Sequence, residues 1–501
     1  MSEHEQTAAA GSKMWSGRFR EPLDEKFERW QRSFPFDVRL IHQEVAASKA
    51  HARAIAAAGV LTSDELAAVL EGLDRLIKVA FEEAWQLTDI DMLRDAYGKT
   101  STPHTYAWLS PLHDVVRLNP EAEDIHHFVE LKLTELIGEL ALKLHTGRSR
   151  NEQIAADMRL FVREAIDQVM QSLRAWIDAL IELAEQSGEA VMPSYTHLQR
   201  AEPVLVAHWL LAYVSMIERD MSRFADARKR MNLCPLGSGA VAGATLALDR
   251  AIAARELGFD RPTPNSMDAT SDRDFMLDFA QAAATLGLHI SRFAEEITLY
   301  STAEFGFVDL PEAFSTGSSA MPQKKNPDFT ELVRGKSARL QGASNALAML
   351  MKGLPLAYNK DLQEGQEQVF DAADTITGML AILPDFTRAL KFRYDRMRAA
   401  ATSGYLNAMA AATYLSNKGV PFRKAHEIVG NAVRLGLESG RELNDLKLEE
   451  LRTLSEVFAG DFYDAITLEA TLDCHDVIGG TARAQVAKAL AAAKRRLGDN
   501  S

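Results

Sequence analysis

Cysteine is nearly absent: the 501 residues include two, Cys234 and Cys474. So few exclude a disulfide framework and fit a reducing cytoplasm. No uncharged apolar run approaches membrane-spanning length, and the opening MSEHEQTAAAGSK is too polar and acidic for a signal peptide. Positive charge is also short, with 56 Lys plus Arg against 70 Asp plus Glu, a formal charge of -14. Nucleic acid and anionic membranes need a basic footprint, so neither is an expected partner. The familiar short motifs are missing too: no HExxH, CxxC, EF-hand, Walker or Gly-x-Ser-x-Gly pattern occurs. GSGAVAG (237–243) has dinucleotide-like spacing but follows no strand, so it reads as a tight turn. His126 and His127 are adjacent and cannot share one helix face, a poor basis for a metal site. What remains is a cytoplasmic protein whose 47% hydrophobic residues can bury a large core.

Helix formers fill that core. Residues 152–187 contain no Gly or Pro, and Ile154, Met158, Val162, Ile166, Val169, Leu173, Ile177 and Leu180 recur at steps of three and four. Residues 124–145, 203–232, 268–305 and 327–351 read similarly, all longer than the usual globular helix. Helices of this length lie side by side in bundles, often between subunits. The expected fold is all-α in three helical parts: residues 1–149, a long-helix core over 150–400, and a smaller region over 401–501. Residues 97–124 read as a long loop.

Three polar stretches interrupt this pattern. HTGRSRNEQ (145–153) reads alone as a solvated helix cap with Asn151 as N-cap. Its arginines beside a helix start also make an anion receptor. MPSYTHLQRAEPV (192–204) places Thr196, His197, Gln199 and Arg200 in a short irregular segment between prolines, where the histidine can serve as acid or base. FSTGSSAMPQKKNPDF (314–329) combines Gly317 and four hydroxyls with Lys324, Lys325 and a helix start at Asn326–Pro327. Two lysines where the helix dipole already disfavours cations call for an anion among them. A continuous helix from the first stretch to the second spans roughly 50 Å at about 1.5 Å per residue. Arg150 and His197 therefore meet only if a second copy packs antiparallel beside the first, giving an oligomer with shared sites.

In this order the stretches form a signature. GSSAMPQKKNP resembles that of the fumarase/aspartase superfamily. The chain is similar to the argininosuccinate lyase family within it, through MWSGRF (14–19), EDIHHFVE (123–130), KLHTGRSRN, YTHLQRAEPV, PLGSGAVAG, NSMDATSDRDF (265–275), EFGF, KGLPLAYNKDLQE (352–364), KGVPFRKAHE (418–427) and GGTAR. The likeness omits the first dozen residues and an inserted segment near 86–121. It implies a homotetramer around a multi-helix core, sites built from three subunits, and neither metal nor organic cofactor.

The implied reaction is reversible β-elimination of fumarate from an N-substituted aspartate. Removing a proton beside a charged carboxylate yields a doubly negative aci-carboxylate, tolerable only among preorganised cations and N–H donors. By the resemblance, Ser318 is the base, in a loop with Ser319 that closes over substrate. Lys324 and Asn326 hold the carboxylate where charge develops. Ser149, Arg150, Asn151 and Thr196 bind the succinyl part, and His197, paired with Glu331, orients substrate or relays a proton to the departing nitrogen. Ser33, Asp124, Tyr358 and Gln363 hold the amino-acid end. The family usually continues LQEDKE where this chain has LQEGQE, so Gly365 and Gln366 replace an acid and a lysine in the distal part of the site. The substrate expected is argininosuccinate, with another N-substituted aspartate or aminopolycarboxylic acid as the alternative. A non-catalytic structural paralogue is the third reading.

Overall fold

The computed structural model describes residues 21, 23–87 and 109–499. MWSGRF and most of the inserted segment lie outside the described residues. Seven helices position the site: α1 Ile41–Ala57, α2 Ile125–Ile137, α3 Arg150–Ser187, α4 Val206–Met231, α5 Asp274–Ser301, α6 Asp328–Met351 and α7 Glu364–Ala389. Helices α3 to α7 run up and down as a bundle. In it α3 packs on α4 and α7, while α5 packs on α4 and α6. All eight periodic apolar residues named for α3 are buried, each contributing roughly 1.5–3 kcal/mol by leaving water. Trp176 is wholly buried beside Phe293, and its indole N–H donates to Thr387 Oγ1 at 3.1 Å. No helix among the described residues is long and apolar enough to cross a membrane.

Local chemistry decides where helices stop. Ser149, not Asn151, caps α3: its hydroxyl and the Glu152 side chain form a capping box, a contribution of about 1 kcal/mol. The helical pattern over 124–145 breaks at Gly138, whose φ of +66° ends α2 and starts a 3-10 segment, Gly138–His145. The pattern over 268–305 breaks where Asp272 accepts the Asp274 N–H at 2.7 Å and pairs with Arg159. A short helix, Ser266–Ser271, therefore precedes α5. The stretch read as a long loop contains a helix, Leu109–Leu118.

Strands are confined to four two-stranded pieces among the described residues. The largest corrects the reading of 192–204 as irregular. It is a hairpin, β1 Val191–Thr196 with β2 Gln199–Leu205, turning through His197 and Leu198 at φ +56° and +58°. A second apolar cluster (Tyr414, Leu415, Phe458, Phe462) forms apart from the main core. The final helix, Arg483–Asp499, returns to the bundle, where Arg496 pairs with Glu218 at 2.7 Å.

Candidate active site

The bundle sorts the candidate residues into two sets. The first gathers where α2, α3 and α7 begin. Asp124 is the N-cap of α2: one carboxylate oxygen accepts the His127 N–H at 2.8 Å, and the other stands 2.9 Å from Arg150 Nη1. Arg150 opens α3, so two helix starts converge on one cation. The Ser33 N–H donates to the Glu123 carbonyl at 3.1 Å, and Gln363 Nε2 to the Gln31 carbonyl at 3.1 Å, tying both residues to the same corner. Tyr358 completes it; burial raises its phenol to about 12 despite the nearby Arg273.

Ser149 and Asn151 are committed to the same helix start. The Ser149 hydroxyl accepts the Asn151 N–H at 3.3 Å, and the Asn151 amide donates to the Ala240 carbonyl at 3.4 Å. Glu152 reaches the GSGAVAG turn, accepting the Gly239 N–H at 2.9 Å. Only glycine fits there: φ is +60°, and a Cβ would lie 2.7 Å from the Gly243 carbonyl oxygen. The tight turn thus buttresses the Arg150 end of α3. Gln366, in the first turn of α7, is buried with its Oε1 unpartnered.

The second set lies at the other end of the bundle. Thr196 and His197 are exposed at the hairpin tip, where two successive non-glycine residues at positive φ mark a strained turn. The hairpin is fastened from behind by Arg200 Nη1, which donates to Ser403 Oγ at 3.0 Å and the Ala400 carbonyl at 3.3 Å. Tyr195 packs on Phe305 at the exit of α5, which brings the following loop to this end.

In that loop Thr316–Gly317 pairs with Lys325–Asn326, closing a small lobe that carries Ser318, Ser319 and Lys324. The Ser318 oxygen accepts backbone N–H groups from Ala320 at 3.2 Å and Met321 at 3.1 Å. Lys325 turns away to Asp309 and the Leu310 carbonyl, both at 2.7 Å, leaving Lys324 exposed on the lobe. Asn326 does not cap α6. Its amide donates to the Gly317 carbonyl at 3.3 Å and Thr316 Oγ1 at 3.4 Å, so it braces the lobe instead. Glu331, exposed in the first turn of α6, lies 3.9 Å from Arg334.

One chain therefore holds its candidate residues in two sets, a first half and a second half separated by the length of α3, roughly 57 Å for its 38 residues. The first half also contains residues that sequence reading passed over. Asp37 accepts the Ile125 N–H at 3.0 Å and a bond from the Ser33 hydroxyl, and burial with the nearby Asp124 pushes it up to about 7. Its only sequence signal was an i, i+4 relation to Ser33. Behind it, Glu44, His126 and Asp157 meet in the interior. Nothing in their spacing brings those three together.

Comparison with known proteins gives this geometry a family. A lyase family model matches residues 109–342, and an argininosuccinate lyase C-terminal model matches 405–473. The argininosuccinate lyase of Acidobacterium capsulatum is 62% identical over 97% of this chain and 95% of its own. That of Koribacter versatilis is 55% identical over 97% of both. Among solved structures, an EDDS lyase variant with bound fumarate has a TM-score of 0.76 at 24% identity, covering 92% of this chain and 87% of its own. The 3-carboxy-cis,cis-muconate lactonizing enzyme of Pseudomonas putida has a TM-score of 0.68 at 19% identity, covering 94% and 99%. At those identities the likeness establishes the helical fold. The near full-length identity to curated relatives goes further: the chain is a member of the argininosuccinate lyase family and a carbon–nitrogen lyase.

Proposed function

We propose that the enzyme eliminates fumarate from argininosuccinate, releasing arginine, at sites completed between copies of the chain in a homotetramer. The observation that carries this reading is the sorting of the candidate residues into two complementary halves at opposite ends of one helix bundle. A base without an anion receptor cannot support the chemistry, nor can the receptor without the base.

Ser318 takes the Cβ proton. A hydroxyl is a weak base, but its oxygen already accepts two backbone N–H bonds, and such donors favour the alkoxide over the neutral form. Lys324 on the same lobe adds positive charge. The C–H electron pair moves into the adjacent carboxylate, whose second negative charge is met by Lys324 and Asn326. Collapse of that pair into a Cα–Cβ double bond expels the C–N pair onto the guanidine nitrogen, which takes a proton relayed through His197 and leaves as arginine.

Arg150, with Asn151, Ser149 and a neighbouring chain's Thr196, binds the succinyl part. His197, paired with Glu331, orients it. Ser33, Asp124, Tyr358 and Gln363 take the amino-acid end. Ser319 lies on the lobe that closes over the substrate.

Incubation of purified enzyme with argininosuccinate, following fumarate by ultraviolet absorbance, tests the reading; no fumarate from an intact oligomer would remove it. One observation favours a second substrate. Gln366 presents a buried, unpartnered carbonyl oxygen where the family carries a lysine, and a neutral acceptor suits an N-substituted aspartate with an amine donor. Amine addition to fumarate without argininosuccinate turnover would select that alternative. No turnover with any amine would leave a structural role.

A further inference from the structure

Glu44 on α1, His126 on α2 and Asp157 on α3 meet in the interior, each offering an atom within 4.8 Å of the others. Glu44 and Asp157 are wholly buried, and His126 is 4% exposed. The Glu44 carboxylate is rich in donors. Its Oε1 accepts from Ser48 Oγ at 2.7 Å and Gln153 Nε2 at 3.0 Å, and its Oε2 accepts from His126 Nδ1 at 2.8 Å. Arg148 stands behind, with Nη1 3.9 Å from Glu44 and 2.8 Å from Ser48 Oγ.

Asp157 is different. Among the described residues, no N–H or O–H donates to either of its oxygens. His126 Nδ1 lies 3.7 Å away but is bonded to Glu44. Asp157 instead faces the Glu44 carboxylate, with an oxygen of each within 4.8 Å of the other. Two carboxylates only accept, so this contact repels unless a proton lies between them. A metal ion is a poor substitute for that proton, because His126 and Arg148 already supply positive charge to Glu44.

We propose that Asp157 is a neutral carboxylic acid donating its proton to Glu44, and that this pair, closed by His126, is a positioning network that sets Asp124 against Arg150. The topology supplies the link. His126 lies two residues after Asp124 at the start of α2. Asp157 lies seven residues, about two turns, after Arg150 on α3, and Glu44 follows the Ser33–Asp37 segment into α1. Three elements bearing the first half-site are thus pinned at one buried point. Burial and Glu44 raise Asp157, while His126 and Arg148 hold Glu44 down to about 2 against its burial. Asp37, Asp124 and Arg150 also face this region and shape its titration. Without the proton the two carboxylates repel, and a shift of α3 by about 1 Å is enough to cost roughly 100-fold in kcat/KM.

The network bears on elimination only if the site reading above holds, so one arm of the test ignores activity. In the infrared, at a pH above the titration of Asp37 near 7, the wild-type protein should show the carbonyl stretch of a buried neutral carboxylic acid, lost in Asp157→Asn. Its absence from wild type overturns the proposal whatever the substrate. In kinetics, Asp157→Asn keeps an N–H to donate to Glu44 and should stay within about threefold of wild-type kcat/KM, whereas Asp157→Ala should lose roughly 100-fold, largely through KM. Activity of the wild type should fall on an alkaline limb that Asp157→Asn lacks. Equal losses in the Asn and Ala variants, or an unchanged alkaline limb in Asp157→Asn, would show Asp157 acting as a charge and end the proposal. Should Asp157→Ala fail to fold, the infrared band and the pH profile of Asp157→Asn still decide. Failure of argininosuccinate turnover in wild type with the band present would sink the function reading alone.

Discussion

Asp124 Oδ2 and Arg150 Nη1 stand 2.9 Å apart, each at the start of a different helix. The pair holds a guanidinium at the meeting of two helix N-termini, aimed and partly neutralised before any substrate arrives. On the proposed reading, an incoming carboxylate would compete for a cation already in position, which limits the ordering cost of binding.

Replacing Arg150 by lysine keeps the charge and loses the planar fork. Arg150→Lys should lower kcat/KM for argininosuccinate by about 2 kcal/mol, roughly thirtyfold, mainly through KM. Steady-state kinetics checks this, and an unchanged KM would remove Arg150 from the succinyl contact.

Ser318→Ala removes the proposed base from an exposed lobe that packs little core. Turnover should fall roughly 10²- to 10⁴-fold, the usual size of a general-base effect, with circular dichroism and melting temperature unaltered. Wild-type turnover in this variant would reassign the base.

Half-sites on opposite ends of α3 predict rescue by mixing. Ser318→Ala and Arg150→Ala chains, each inactive alone, should recover about a quarter of wild-type activity when unfolded and refolded together, the chance that both contributing chains are intact at a site. No recovery from well-formed mixed oligomers would mean that each site draws both residues from one chain.

Asp37 predicts a pH dependence of stability. Burial, then Asp124, push it up to about 7, against about 3.9 in an unfolded chain. The folded state holds this proton more tightly, so its stabilising contribution is complete below about pH 4 and is lost as pH rises through about 7. Thermal unfolding of Asp37→Asn should therefore decline less steeply with pH across that window than wild type. Parallel slopes would show that Asp37 titrates normally.

Much of this was legible in the sequence because helical periodicity is a local signal. The apolar positions of α3 recur every three or four residues, and all are buried as the spacing requires. The hairpin at His197 was hidden because its turn uses His-Leu in place of the Asn-Gly that normally marks positive φ. Asn326–Pro327 looked like a cap, but the Asn326 amide found better partners in the lobe than in the helix. Asp37 and the Glu44–Asp157 contact were illegible for another reason: they arise where segments distant in sequence pack together. Asp157 even occupies the buried face of α3 beside Met158, a position an apolar residue would ordinarily fill.

The length of α3 reaches beyond the single molecule. With sites shared as proposed, two damaged alleles, one altered near Arg150 and the other near Ser318, would encode chains that compensate each other in one oligomer. Selection would then act on the mixture of polypeptides present, and the severity of a lesion would depend on which second lesion accompanies it.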